Sequence, residues 1–298
     1  MDYVYLLIAA ILLAVSFAMN KLYQQKAGVS PIAGFRFNVF SGLLSALVFL
    51  IMGGFRPQFT LYSFLLSALV AALGLAYSLL GFRIMRSGSM ALYTLFLMTG
   101  GMVLPYVFGL IFLDEELNPL RVVGLVILIL AVALVNIKPK GTRLDIPQLL
   151  MCIAVFLLNG GVSIVSKIHQ VSPEWLGIET VRTEDFVMYN GLTNALLAGI
   201  ALLIFTLLNK KKGTPEKMTI KIYHFIPILV VSALVGGISY ALQLAGATNL
   251  PATVLYPFIT GGSMVFSTLT GIIVFRERPS KMVIISVILC FIGTLMFL

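Results

Sequence analysis

Charge is scarce in this sequence. Lys and Arg number 20 and Asp and Glu 11 in 298 residues, 10% of the chain, against about 25% in soluble globular domains. With 60% hydrophobic residues and a mean hydropathy of +1.06, a soluble fold is excluded. Cysteine is scarcer still. Cys152 and Cys290 both lie inside apolar runs, so they read as small core residues and a disulfide framework is excluded. The two histidines, His169 and His224, stand in no metal-ligand spacing, and nothing resembles a nucleotide-binding loop; an ATP-driven pump is excluded and an intramembrane metalloenzyme has no ligand set. No acidic residue lies mid-run, so proton coupling has no carrier within a span. A basic region before the first apolar run is also missing, with Asp2 in its place; that run reads as a retained span and not as a cleaved signal.

What is there is a series of apolar runs, each close to the roughly 20 residues that cross a bilayer. Ten spans are expected, near 3–23, 32–52, 60–82, 88–113, 120–137, 147–167, 185–208, 223–245, 251–275 and 281–298. Lipid-facing backbone must satisfy itself internally, which makes these helices; barrel strands would be about half as long and alternate in polarity. The fold class is all-α integral membrane. The net charge of +9 implies no nucleic-acid partner, because the basic residues fall between spans, where topology accounts for them.

One stretch is written twice. From Ser87 the chain runs S-G-S-M-A-L-Y-T-L-F-L-M-T-G-G-M-V-L-P to the exit D-E-E-L-N-P, and from Asn249 it runs N-L-P-A-T-V-L-Y-P-F-I-T-G-G-S-M-V-F to R-E-R-P. Thr99-Gly100-Gly101 aligns with Thr260-Gly261-Gly262, and Glu116 then falls on Glu277. Earlier helices repeat too: Lys21 then Ser30-Pro31 matches Lys167 then Ser172-Pro173, Tyr77 matches Tyr240, and Gly42 and Ala46 match Gly191 and Ala195. The chain therefore divides into a first five-helix repeat (1–137), a linker (138–146) and a second repeat (147–298). An odd number of spans per repeat inverts the second in the membrane, a transporter arrangement with its site near the midplane between the halves.

Alternating the loops between two sides assigns Arg56, Arg121, Lys167 and Arg182 to one side and the other basic residues, including Lys210–Lys212, to the opposite one. The richer side is expected to be cytoplasmic. That reading gives a multi-pass protein of the plasma (inner) membrane with both termini outside.

The order Lys21, Ser30-Pro31, Arg36, then Gly88 to Glu116, returning as Gly160, Lys167, Ser172-Pro173, Pro257 and Glu277, resembles the EamA-like branch of the drug/metabolite transporter superfamily over essentially the whole chain. The resemblance implies two inverted five-helix bundles around a central cavity, moving metabolites or drugs by alternating access. Where that family usually carries Trp-Gly in its first helix, this chain has Leu13-Ala14, and Asp185 stands opposite Arg36. The expected cavity is asymmetric, and the resemblance implies no particular substrate.

Polar residues inside spans are costly unless paired or facing water. Spans five and ten have almost none and are expected on the lipid-facing outside. Elsewhere Asn20, Asn38, Tyr77, Tyr93, Thr99, Asn159, Ser163, Asn190, Asn194, Tyr240, Gln243 and Tyr256 are the candidate substrate-cavity residues, although a hydroxyl in a membrane helix commonly bonds its own backbone. Gly100, Gly101, Gly261 and Gly262 read as packing sites, with Pro105 and Pro257 as bends freeing carbonyls toward the cavity. Lys21 and Lys167 sit at span ends, where snorkelling is the default and attraction of an anion at the cavity mouth the alternative; Arg36 and Asp185 are a candidate gate pair. The expected function is secondary transport of a small organic molecule by a protein that needs no cofactor or metal and works as a monomer among membrane lipids. The nearest rival is a flippase for lipids or lipid-linked sugars, which a wide lateral opening would favour; an intramembrane enzyme ranks lower.

Overall fold

The computed structural model describes residues 2–28, 30–86, 90–136, 146–211 and 225–298. Ten helices follow in order among them: α1 (Asp2–Ala27), α2 (Pro31–Met52), α3 (Leu61–Arg86), α4 (Met90–Phe112), α5 (Pro119–Asn136), α6 (Ile146–Trp175), α7 (Thr183–Lys211), α8 (Ile226–Asn249), α9 (Ala252–Phe275) and α10 (Lys281–Leu295). The linker expected over 138–146 lies outside the described residues except for Ile146; residues 87–89 of the repeated stretch, Lys212 and His224 lie outside them as well.

Local chemistry sets the helix starts. Ser30 accepts from the Ala33 N–H at 3.1 Å with Pro31 opening α2, and Ser280 accepts from Val283 at 3.4 Å at the head of α10. Both use a side-chain oxygen for a backbone donor that the first turn leaves unpaired. Among the described residues, eight helices are long and apolar enough to cross a membrane. α5, described as far as Asn136, and α10, with 15 residues, pack on each other, Ser286 donating to the Ala131 carbonyl at 2.6 Å.

The largest departure from the expected spans is α6, which continues through Pro173 to Trp175 instead of stopping at 167. The polar run after Lys167 resembles a loop in composition, yet its residues are held from neighbouring helices. His169 is 1% exposed, bonded to Ser63 Oγ at 2.9 Å and set against the Phe186 ring. Ser172 lies 2.7 Å from the Tyr62 hydroxyl. Tertiary partners override the local composition here.

The packing is two-fold. Adding five to the helix number, or subtracting it, turns α1 against α8 into α6 against α3, α1 against α9 into α6 against α4, α2 against α8 into α7 against α3, and α9 against α10 into α4 against α5. Three contacts, α2 with α7, α4 with α9 and α5 with α10, map onto themselves and so lie across the pseudo-two-fold axis. Five helices per repeat make this an inverted repeat. The packed bodies are not the halves of the sequence: one contains α1, α2, α8, α9 and α10, the other α3 to α7.

Helix ends show the same symmetry. Asp114 and Arg276 take left-handed backbone at φ 49° and 53°, and the backbone N–H groups of the following residues, Glu115 and Glu277, donate back to Gly109 and Gly271 at 3.1 and 3.2 Å. The equivalent of Glu277 is therefore Glu115, not the neighbouring Glu116 that the sequence repeat aligned with it. Side-chain matching slipped by one residue because the exit carries adjacent acids.

At the axis α2 and α7 touch through backbone. A Cβ added to Gly42 would sit 2.7 Å from the Gly191 carbonyl oxygen, and one added to Gly191 would meet the Gly42 oxygen at the same distance. Gly42→Leu or Gly191→Leu should each lower stability by about 3 kcal/mol, at the upper end of overpacking costs. Gly199→Ala, whose added methyl meets only Val39 at 3.9 Å, should stay within about 0.5 kcal/mol. Denaturation of the purified variants in detergent checks this.

Candidate functional site

Between the two bodies lies a cavity of about 330 Å³, walled by α1, α3, α4, α6, α8 and α9. A second chamber of about 220 Å³ adjoins it, reached by α2 and α7. Tyr77, Val162 and Tyr240 line both, so the repeat-related tyrosines stand on the shared wall. Of the candidate residues, the larger chamber takes Tyr77, Asn159, Ser163, Tyr240, Gln243 and Tyr256. The smaller takes Asn38, Asn190 and Asn194. Three candidates line neither. Asn20 accepts from Gln24 on its own helix at 3.1 Å, Thr99 donates to the Leu95 carbonyl at 2.7 Å, and Tyr93 packs over Gly81 beside Ile84 and Val155.

Pro105 and Ser163 act together. Proline has no N–H for the carbonyl four residues back; for Pro105 that is Gly101, and Ser163 of α6 donates to it at 3.3 Å. Asn159 gives an amide N–H to the Leu97 carbonyl at 2.7 Å. Gly100 allows this proximity, since an added Cβ would collide with the Phe156 carbonyl of α6. On α9, Gly261 packs against Leu128 and Thr294 and Gly262 against Ala10, while Pro257 lies within the helix.

The charged residues depart most from expectation. Lys167 does not snorkel. It is 3% exposed and donates to the carbonyls of Ala247 and Leu250, at 2.6 and 2.7 Å, where α8 ends. α6 runs two further turns past it, and the negative end of a helix dipole receives its amine. Glu115, which the sequence did not single out, accepts from the N–H groups of Ala252 and Thr253 at 2.6 and 2.8 Å, at the positive end of α9. The signal was available: a helix start at Pro251 with no side-chain cap of its own needs an acceptor. One cation and one anion thus hold the α8–α9 corner from either side. That corner adjoins the N-terminus, with Asn249 3.5 Å from Asp2.

The equivalent residues at the opposite face are arranged differently. Lys21 pairs directly with Glu277, both about half exposed, and the Lys21 amine lies 4.6 Å from the centre of the Phe275 ring. They border a groove of about 670 Å³ lined by α1, α9 and the start of α10, which shares Phe17 with the central cavity. Arg36 and Asp185 do not pair. Asp185 is 1% exposed and bonded by Arg182 at 2.9 Å at the Gly53 end of α2, whereas Arg36 lies in that helix's second turn. Inversion sends equivalent helix starts to opposite faces.

No curated protein matches the sequence. Among solved structures 28 chains match. One crystal structure, described simply as that of a protein, is similar over 98% of this chain and 94% of its own with a TM-score of 0.74, at 16% identity; at that identity it shows a shared fold. The model of the EamA-like transporter family matches residues 147–298, just over half of the chain and the whole of the second repeat. With that match on a two-fold bundle of long apolar helices, the chain belongs to the EamA-like transporter family and is a multi-pass membrane protein.

Proposed function

We propose that this protein is a secondary transporter that moves a small organic solute through the central cavity by alternating access, with the two interleaved bodies rocking about the α2–α7 contact. The observation that carries the reading is that its two repeat-related Lys–Glu couples are found in different arrangements. Lys167 and Glu115 are separated, each capping one end of the α8–α9 corner; Lys21 and Glu277 are joined to each other beside the groove of α1 and α9. A two-fold protein with one mouth shut and the other open must place equivalent residues unequally. Exchange of the two arrangements converts one state into the other: Lys21 and Glu277 part, while Lys167 and Glu115 leave the α8–α9 corner and pair.

Packing supports the same reading. α8 touches α6 and α7 across the two bodies, and the corresponding contacts of α3 with α1 and α2 are not among the substantial ones of the described residues. On the Lys/Arg bias the open mouth is cytoplasmic, in a plasma-membrane protein with both termini outside. A lipid path has less support. A groove of about 700 Å³ between α2, α3 and α7 is mainly apolar and shares no described lining residue with the central chambers.

Thr260→Cys, in the cavity wall, reports access from each face, and the native cysteines are fully buried. Glu115→Gln removes charge-assisted bonds worth roughly 1.5–3 kcal/mol. Combined with Thr260→Cys, it should raise labelling of the introduced thiol by a membrane-impermeant reagent about tenfold from the termini face and lower it from the other. Equal labelling from both faces, with and without Glu115→Gln, would refute rocking. A charge swap separates the switch from a plain ion pair. Lys167→Glu with Glu115→Lys can still form a joined couple, but it sets the wrong charge at both ends of the α8–α9 corner, whose polarity is fixed. Transport in proteoliposomes should stay as low in the double variant as in the singles; recovery would mean an ordinary salt bridge.

A further inference from the structure

One face of α3 is turned away from the central chambers. Ala76, Leu79, Leu80 and Arg83 follow one another at the three- and four-residue spacing that puts side chains on a single helix face. All four line the groove of about 700 Å³ between α2, α3 and α7. Gly74, Tyr77 and Ser78, on the opposite face, line the smaller chamber. α3 therefore serves two compartments. α7 packs against both α2 and α3, whereas α2 against α3 is not among the substantial contacts of the described residues; α2 and α3 form the walls of the groove and α7 its floor. Phe82 bridges the walls by lying over Gly34, where an added Cβ would come within 2.5 Å of its ring.

The groove has an apolar body and a basic end. Ala76 to Arg83 covers about 10 Å of helix, with Phe205 of α7 facing the same space and Asn209 and Ser30 at the helix ends. Arg83 is exposed, and no acidic residue is among those lining the groove. The ion pairs of the described residues, Lys21 with Glu277 and Arg182 with Asp185, do not involve it. Lys26 and Lys210, exposed in the last turns of α1 and α7, add positive charge at the same end of the bundle. An apolar trough that ends in an unpaired guanidinium complements an amphiphile with an anionic head: the trough takes hydrocarbon, and the guanidinium fork matches phosphate oxygens.

We infer that this groove binds one anionic phospholipid, with an acyl chain laid along the α3 stripe and the headgroup phosphate on Arg83. Its walls come from both packed bodies, α2 from one and α3 with α7 from the other, so the lipid is a ligand of the assembled fold. It is separate from any solute in the chambers, with which the groove shares no described lining residue.

Native mass spectrometry of the full chain in detergent, with phosphatidylglycerol or phosphatidylcholine of the same acyl chains added, tests this. Phosphatidylglycerol should stay bound at one molecule per chain, about fivefold more abundantly than phosphatidylcholine, the effect of one basic residue at a membrane surface. Arg83→Gln should erase that preference. Lys281→Gln, the same loss of charge at an exposed site on α10 outside the groove, should keep it. Ala76→Phe fills the trough and leaves Arg83 in place, and it should lower phosphatidylglycerol retention severalfold. Equal retention of the two lipids, or a preference that survives Arg83→Gln, would overturn the inference. Displacement of phosphatidylglycerol by excess inorganic phosphate would assign the site to a free anion and overturn it as well.

Discussion

Gly42 and Gly191 bring two helix backbones into direct contact on the pseudo-two-fold axis, and the rest of the arrangement follows from that closeness. Helices in a membrane gain little from burying apolar surface against one another, since lipid is as apolar as they are; they associate where small residues let backbones meet. The α2–α7 contact does this with residues from both repeats, and α1, α6, α3 and α8 are distributed on either side of it. The duplicated halves are therefore interleaved. Helices from both ends of the chain pack together on each side of this contact.

The second constraint is that a charge within such a bundle needs a partner. In a helical membrane protein the ends of helices are the commonest partners, because their last carbonyls and first N–H groups have no intrahelical bond. Lys167 and Glu115 use one end each of the same corner. This ties the corner without a covalent bond. Lys21 and Glu277 satisfy one another directly, so the same two residue types find their partners in two ways within one fold.

Much of the architecture was legible in the sequence. Apolar length gave ten helices, and the paired Thr-Gly-Gly, tyrosine and Gly-Ala positions gave the two-fold relation, because both depend on local spacing that duplication preserves. Nine of the twelve cavity candidates border the two chambers, since polar side chains in membrane helices seldom face lipid. The rest depended on distance in three dimensions. Composition could not show that α6 extends past Lys167, because the partners holding that turn, Ser63, Tyr62 and Phe186, lie on other helices. Nor could adjacent acids reveal that Glu115 is the structural equivalent of Glu277. The interleaving of the two repeats has no one-dimensional trace either, because which helices pack together is written in contacts between distant segments.

α10 packs on α5 and has few polar groups, yet between its caps at Ser280 and Met296 it has only 15 residues and extends about 22 Å. A hydrocarbon layer of about 30 Å must thin, or its lipids must tilt, beside it. The surrounding bilayer consequently belongs to the energetics of the bundle: the same chain sits under different lateral stress in a thin membrane than in a thick one, with no change in its own contacts.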